Sequence, residues 1–229
     1  MSDTQLIEKS DALSANDLLG AIFERFPSAP ACLTCSFQAE DMIVLDFVRQ
    51  RIPAIPVLFL ETGYHFPETL AYRDEIAAKW SLNLQNLSAK QSVADQEAQF
   101  GILHQTAPDR CCGFRKVTPL FEGLAPYDTW ITGLRREQSP TRANLQIVEA
   151  FKLPGGKELK KVSPLAMWTT REVWKYLQVH DIPALSLYEK GYTSIGCAPC
   201  TELPFDPDNA RSGRWHGKKL ECGIHIQAE

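Results

Sequence analysis

Between residues 31 and 87 short apolar runs alternate with helical patterns, and this alternation constrains the fold more than anything else in the chain. Residues 31–36, 55–60 and 82–87 read as buried strands. Residues 40–49, with Met42, Ile43, Leu45 and Phe47 inward, and 67–80, with proline at an early position, read as the helices between them. A helix over 16–26 precedes them, its stripe formed by Leu18, Leu19, Ile22, Phe23 and Phe26. Later come a helix over 111–121, a strand over 129–132 and a helix over 169–180. In that last helix Thr169 or Thr170 is the cap and Glu172 lies in the first turn. Strand and helix in alternation imply an α/β fold, a parallel twisted sheet with helices on both faces.

Such sheets bind ligands beyond the carboxyl ends of their strands. Three loops fall there: Ser36-Phe-Gln-Ala-Glu-Asp41, Glu61-Thr-Gly-Tyr-His65 and Gly133-Leu-Arg-Arg-Glu-Gln-Ser139. The first opens a helix, so its amides are placed to hold an anion, but it lacks the glycines and lysine of a Walker loop. From Pro204 onward Pro, Asp, Gly and Lys dominate, which predicts an extended, mobile tail.

Four of the seven cysteines form two tight pairs, Cys111-Cys112 and Cys197-Ala-Pro-Cys200. Four thiolates so grouped suit a metal or an iron–sulfur cluster, and spacing alone does not separate zinc from a cluster. Neighbours on a helix point about 100° apart, so Cys111 and Cys112 share a site only near a helix end. Cys32 and Cys35, three apart on a strand, face opposite sides and read as core. Cys222 stands alone in Gly217-Lys-Lys-Leu-Glu-Cys-Gly-Ile-His225, with Arg214, Lys218, Lys219 and His225 near enough in sequence to favour its thiolate and Glu221 opposing them. An incidental packed or surface cysteine is the competing reading.

The net charge is −4, which excludes general nucleic-acid binding and leaves any anion to a local cluster of cations. Arg115, Lys116, Arg135, Arg136, Arg142, Arg211 and Arg214 supply candidates, and arginine suits phosphate or sulfate. The first ten residues lack the basic start and apolar core of a signal peptide. No apolar run reaches membrane-spanning length. A cytoplasmic location is expected, where paired cysteines mean metal or redox chemistry more often than disulfides.

Taken together, Cys111-Cys-Gly-Phe-Arg-Lys116-Val-Thr-Pro-Leu120, Thr132-Gly-Leu-Arg-Arg-Glu-Gln-Ser139, Cys197-Ala-Pro-Cys200, Arg211-Ser-Gly-Arg-Trp215 and Glu221-Cys-Gly-Ile-His225 resemble the assimilatory adenylyl-sulfate reductases, close kin of the phosphoadenylyl-sulfate reductases. The resemblance runs from about Cys35 to His225. It implies an adenine nucleotide alpha-hydrolase-like, Rossmann-like fold. It also implies two parts: residues 1–205, carrying nucleotide and cluster, and a catalytic tail, 206–229. Cys111, Cys112, Cys197 and Cys200 would hold a [4Fe–4S] cluster and Cys222 would be the nucleophile. Lys116, Arg211 and Arg214 would surround the sulfate, and Arg135 and Arg136 the phosphate. Ser36, Phe37, Glu61, Thr62 and Gly63 match the nucleotide-facing loops.

The activity so implied is thioredoxin-dependent reduction of adenylyl sulfate to sulfite and AMP through an S-sulfocysteine, in sulfate assimilation towards cysteine biosynthesis. The alternative is the same reaction on the 3′-phosphorylated substrate, or on both. Thioredoxin or glutaredoxin is the expected donor, neither nucleic acid nor membrane is an expected partner, and self-association into a homo-oligomer is compatible. An ATP-dependent adenylating enzyme of this fold would need a Ser-Gly-Gly-x-Asp-Ser type loop where Ser36-Phe-Gln-Ala-Glu-Asp41 stands. A non-enzymatic redox sensor is the remaining class.

Overall fold

The computed structural model describes residues 14–25, 30–219 and 221–225. In chain order, α1 (Ala15–Arg25) leads into β1 (Ala31–Thr34), α2 (Ala39–Arg49), β2 (Pro56–Glu61), α3 (Pro67–Lys79) and β3 (Asn83–Ser88). Three short helices follow, α4 (Val93–Phe100), α5 (Leu103–Thr106) and α6 (Pro108–Cys112). A π-helical turn, Gly113–Val117, joins α6 to α7 (Thr118–Leu124). Then come β4 (Thr129–Ile131), β5 (Val148–Lys152), β6 (Glu158–Val162) and α8 (Thr170–Val179). The sheet runs β3-β2-β1-β4-β6-β5, parallel throughout except for β5.

Alternation along the strands divides the core in two. Leu33, Val57, Phe59, Ile131 and Val162 pack on one face with Leu18, Leu19, Ile22, Met42, Ile43, Tyr72, Ile76, Val173 and Leu177, from α1, α2, α3 and α8. Cys32, Leu58, Trp130, Phe151 and Leu159 pack on the other with Leu120 and Leu124 of α7. Cys32 and Cys35 thus belong to opposite layers, as a period of two requires. α2 is buried nearly all round, Val44, Val48 and Asp46 included, so its inward stripe is wider than its periodicity suggests. Asp46 is tolerated there because Arg49 (2.6 Å) and the Tyr176 hydroxyl (2.9 Å) satisfy it.

Sequence reading missed the β5–β6 hairpin. Its strands carry Glu149, Lys152, Lys160 and Lys161, which look like loop. Cross-strand pairing explains them: Glu149 lies opposite Lys161 in the register, and the two form a 2.8 Å ion pair with Lys161 buried. The turn between them, with Gly155 and Gly156 at φ +90° and +89°, was the available signal. α4 also went unread, although Ser92 caps it by accepting from Asp95 N at 3.1 Å.

The described residues beyond Pro204 have little regular structure, yet they are packed. Ser212, Arg214 and Trp215 are buried, and Thr201 and Arg214 form an isolated antiparallel bridge. Among the described residues no helix is long and apolar enough to cross a membrane.

Candidate active site

The chain reverses strand order beside β1, and there a cavity of about 500 Å³ opens at the carboxyl ends of β1, β2 and β4. The loop after β1 forms its floor. Ser36 donates its amide and its hydroxyl to Asp41 Oδ2, both at 2.6 Å. Burial pushes the Asp41 carboxyl up to about 6 against those bonds. Gly133, after β4, must be glycine: a Cβ there would lie 2.3 Å from Asp41 Oδ1. The cavity therefore keeps its floor and wall in direct contact.

Two ends of opposite character face each other. At one, Arg135 is pinned between Glu40 (2.8 Å) and Glu137 (2.9 Å), so two carboxylates hold one cation. At the other, Lys116, Arg142, Arg211 and Arg214 gather, and among the described residues Glu221 is the carboxylate that pairs with Arg142 and Arg211. Cys222 is half-buried on that cationic wall, within the electrostatic reach of Lys116, Arg211 and Arg214. Burial pulls Arg211 down to about 10, still charged at neutral pH, and it also lowers Arg214. Burial opposes the Lys116 ammonium, but the Cys197 and Cys222 thiols outweigh it and hold it above its ordinary value. The Arg214 guanidinium needs Gly196, whose Cβ would sit 2.1 Å from its terminal nitrogen.

Ser36, Thr62, Lys116, Arg135, Arg211, Arg214 and Cys222 all line the cavity. Four expected residues lie outside its lining. Phe37 takes a left-handed backbone, φ 58°, and this turns its ring into the core against Phe59 and Tyr72. Glu61 is engaged by Arg73 (2.9 Å) and the Gly63 amide (3.0 Å). Gly63 serves the turn itself, at φ +75°. Arg136 points away and donates Nε to the Leu145 carbonyl at 2.8 Å. Arg142, a candidate cation from the sequence, also lines the cavity, as do Glu137, Gln138 and Glu221, which the sequence does not mark as binding residues; the Arg142–Glu221 pairing spans 79 positions and leaves no local signature.

His225 also lines this cavity. It stacks on Trp130 (5.4 Å, 16°), and burial together with Lys161 drives its pKa well below the ordinary value, so the ring is neutral. Its Nδ1 is buried without a partner.

Lys116, Cys197 and Trp215 form the partition to a second, smaller cavity lined by Cys111, Cys112, Cys197 and Cys200. The π-helical turn sets this arrangement. It follows the cysteine pair directly and carries Arg115 and Lys116. All four thiols are buried and reduced. Burial and mutual repulsion push Cys111 and Cys200 up to about 11, so these two are thiolates only beside a cation. Polar groups already reach the sulfurs: Thr62 Oγ1 to Cys197 (3.3 Å) and Lys219 Nζ to Cys112 (3.5 Å). Arg115 is buried at the same cavity with one terminal nitrogen unpartnered. The donor set and its second layer thus fit an iron–sulfur cluster. Among the described residues no three His, Cys, Asp or Glu converge as ligands of a single ion.

A phosphoadenosine phosphosulfate reductase domain matches residues 30–203. The chain belongs to the phosphoadenosine phosphosulfate reductase family. Among members of that family, an adenosine 5′-phosphosulfate reductase of Streptomyces coelicolor is 45% identical over 196 residues, covering 85% of this chain and 81% of that one. A phosphoadenosine 5′-phosphosulfate reductase of Gloeobacter violaceus is 46% identical over 198 residues, covering 84% and 81%. The crystal structure of a phosphoadenylyl-sulfate reductase from Candida auris superposes with TM-score 0.72 at 22% identity, over 88% of this chain and 98% of that one. That likeness extends the family's α/β fold to the sheet described above.

Proposed function

We propose that this reductase cleaves adenylyl sulfate to sulfite and AMP, with Cys222 as nucleophile. The observation that carries the reading is a thiol set on the most cationic wall of a cavity placed where this fold binds nucleotides. The Cys222 thiolate attacks the sulfur of the phosphate–sulfate anhydride. The bond from that sulfur to the bridging oxygen breaks, and AMP leaves with its electron pair. Lys116, Arg211 and Arg214 stabilise the charge gathering on the sulfonyl and phosphate oxygens. Cys222 then carries an S-sulfonate. A thiolate of a dithiol donor, thioredoxin or glutaredoxin, attacks the Cys222 sulfur and expels sulfite. Its second thiol resolves the mixed disulfide, so two electrons come from the donor. Residues 206–229 act as the catalytic segment over the body formed by 1–205, closed for the first step and opened for the second.

Cys111, Cys112, Cys197 and Cys200 would hold a [4Fe–4S] cluster through their four thiolates. That mode does not need the four sulfurs to meet at one point, as zinc does. When bound, the cluster supplies fixed charge behind Lys116 rather than the electrons of reduction.

The carboxylates around Arg135 support adenylyl sulfate over its 3′-phosphorylated form. Glu40 and Glu137 suit ribose hydroxyls and disfavour a second phosphate, as an acidic residue does in NAD-selective sites. The Gloeobacter relative's name keeps the 3′-phosphorylated substrate as the second reading. The cytoplasm, with its reduced thiol pools, suits both the free cysteines and the donor. The deciding experiment is mass spectrometry of the protein incubated with adenylyl sulfate and no reductant. A sulfonate on Cys222 is expected, with sulfite released on adding thioredoxin. An adduct elsewhere, or none, overturns the mechanism. Sulfite release from the two substrates side by side decides between them.

A further inference from the structure

We propose that Glu221 is a positioning residue: clasped by Arg142 and Arg211, it seats Cys222 at the cationic wall and competes with the substrate's oxyanions for the same guanidiniums. The proposal rests on the reading of Cys222 as nucleophile. Arg142 grips the Glu221 carboxylate with both arms of its fork, Nε at 2.9 Å and a terminal nitrogen at 2.8 Å. Thr141 adds a hydroxyl at 3.0 Å and Arg211 stands 3.6 Å away. Both members of the central pair are largely shielded from water, at 12% and 15% side-chain exposure, where a bidentate pair of this kind is strong and directional.

The anchor on the other side is equally fixed. Arg142 closes a 3₁₀ turn, Pro140–Arg142, capped by Ser139, and it also donates to Gln138 Oε1. That same oxygen accepts from the Arg135 amide at 3.1 Å. The segment carrying Cys222 is thus latched to the loop that shapes both ends of the cavity. Glu221 is also the sole carboxylate among the described residues of the cationic wall. Removing its charge releases the Arg142 fork to an anion while it unmoors the adjacent thiol. The clasp therefore predicts opposite effects on binding and on chemistry, which mere loss of structure would not produce.

The test uses the full chain and its Glu221→Gln variant. With adenylyl sulfate saturating and no reductant, Cys222 sulfonation followed by mass spectrometry should slow by roughly tenfold or more. AMP, measured by calorimetry, should bind at least as tightly as to the unmodified protein. Arg142→Lys keeps the cation but loses the fork, and should fall between. Limited trypsin digestion should cut after Lys218 or Lys219 faster in Glu221→Gln while the body stays intact. A sulfonation rate within twofold of the unmodified protein overturns the proposal. So does a parallel loss of AMP affinity, or unchanged trypsin protection. If the unmodified protein forms no sulfonate, the proposed function fails, and the trypsin comparison still judges the clasp.

Discussion

Asp41 shows how one side chain can govern a site without touching chemistry. It holds the β1 loop through Ser36 and abuts Gly133. Its carboxyl is raised from an ordinary 3.8 to about 6, chiefly by burial. A raised acid binds its proton more tightly in the folded protein, so its stabilising effect is complete below its unfolded value and is lost as pH rises through about 6. Asp41→Asn should therefore gain on the unmodified protein between pH 4 and 7, by about 3 kcal/mol, as read from urea unfolding at both pH values. A constant difference would refute that. At the same scale, residue types were legible and directions were not. The cysteine pairs and the arginines announce themselves by kind. Phe37 reads as a nucleotide-facing residue and goes inward, since a left-handed backbone reverses its side chain. The Glu221–Arg142 pair was invisible, because long-range contacts leave no trace in local spacing.

Among elements, those with strong periodicity were read within a residue or two, from β1 through β3 and again at α8. The short or charge-bearing ones were not: α4, α5, β5 and β6. The β5–β6 hairpin shows why, since its burial of Lys161 depends on a partner on the neighbouring strand. Glu149→Ala should leave that ammonium buried and unpaired, and destabilise the protein by about 3 kcal/mol. Replacing the pair together, Glu149→Leu with Lys161→Met, should recover most of the loss in a denaturant titration. If the single change is silent, the ion pair has no structural role. Lys161 lies over the Trp130 ring (5.5 Å) on which His225 stacks, so hairpin and C-terminal segment are mechanically joined.

For the molecule as a whole, the fold was readable because a parallel sheet imposes one repeating pattern, while the packing of the segment after Pro204 was not, because beyond its local turns its contacts reach Cys197, Thr201 and Lys116. Substrate cavity and cysteine cavity share a wall, so they should fail together. Anaerobically purified protein should be yellow-brown and contain iron. Cys111→Ser should lose iron, measured by colorimetric assay, and melt at a lower temperature even without substrate. A colourless, zinc-loaded protein with full sulfite production would remove the cluster.

The wide turn at Gly113–Val117 has a consequence of its own. Such a turn is an ordinary helix holding one surplus residue. Trimming that residue would relax the helix to its regular pitch and narrow it, changing how Lys116 stands against Cys111 and Cys112. A lineage that shortened this stretch by a single codon would keep every reactive side chain and still reset the ammonium that stands on both cavities.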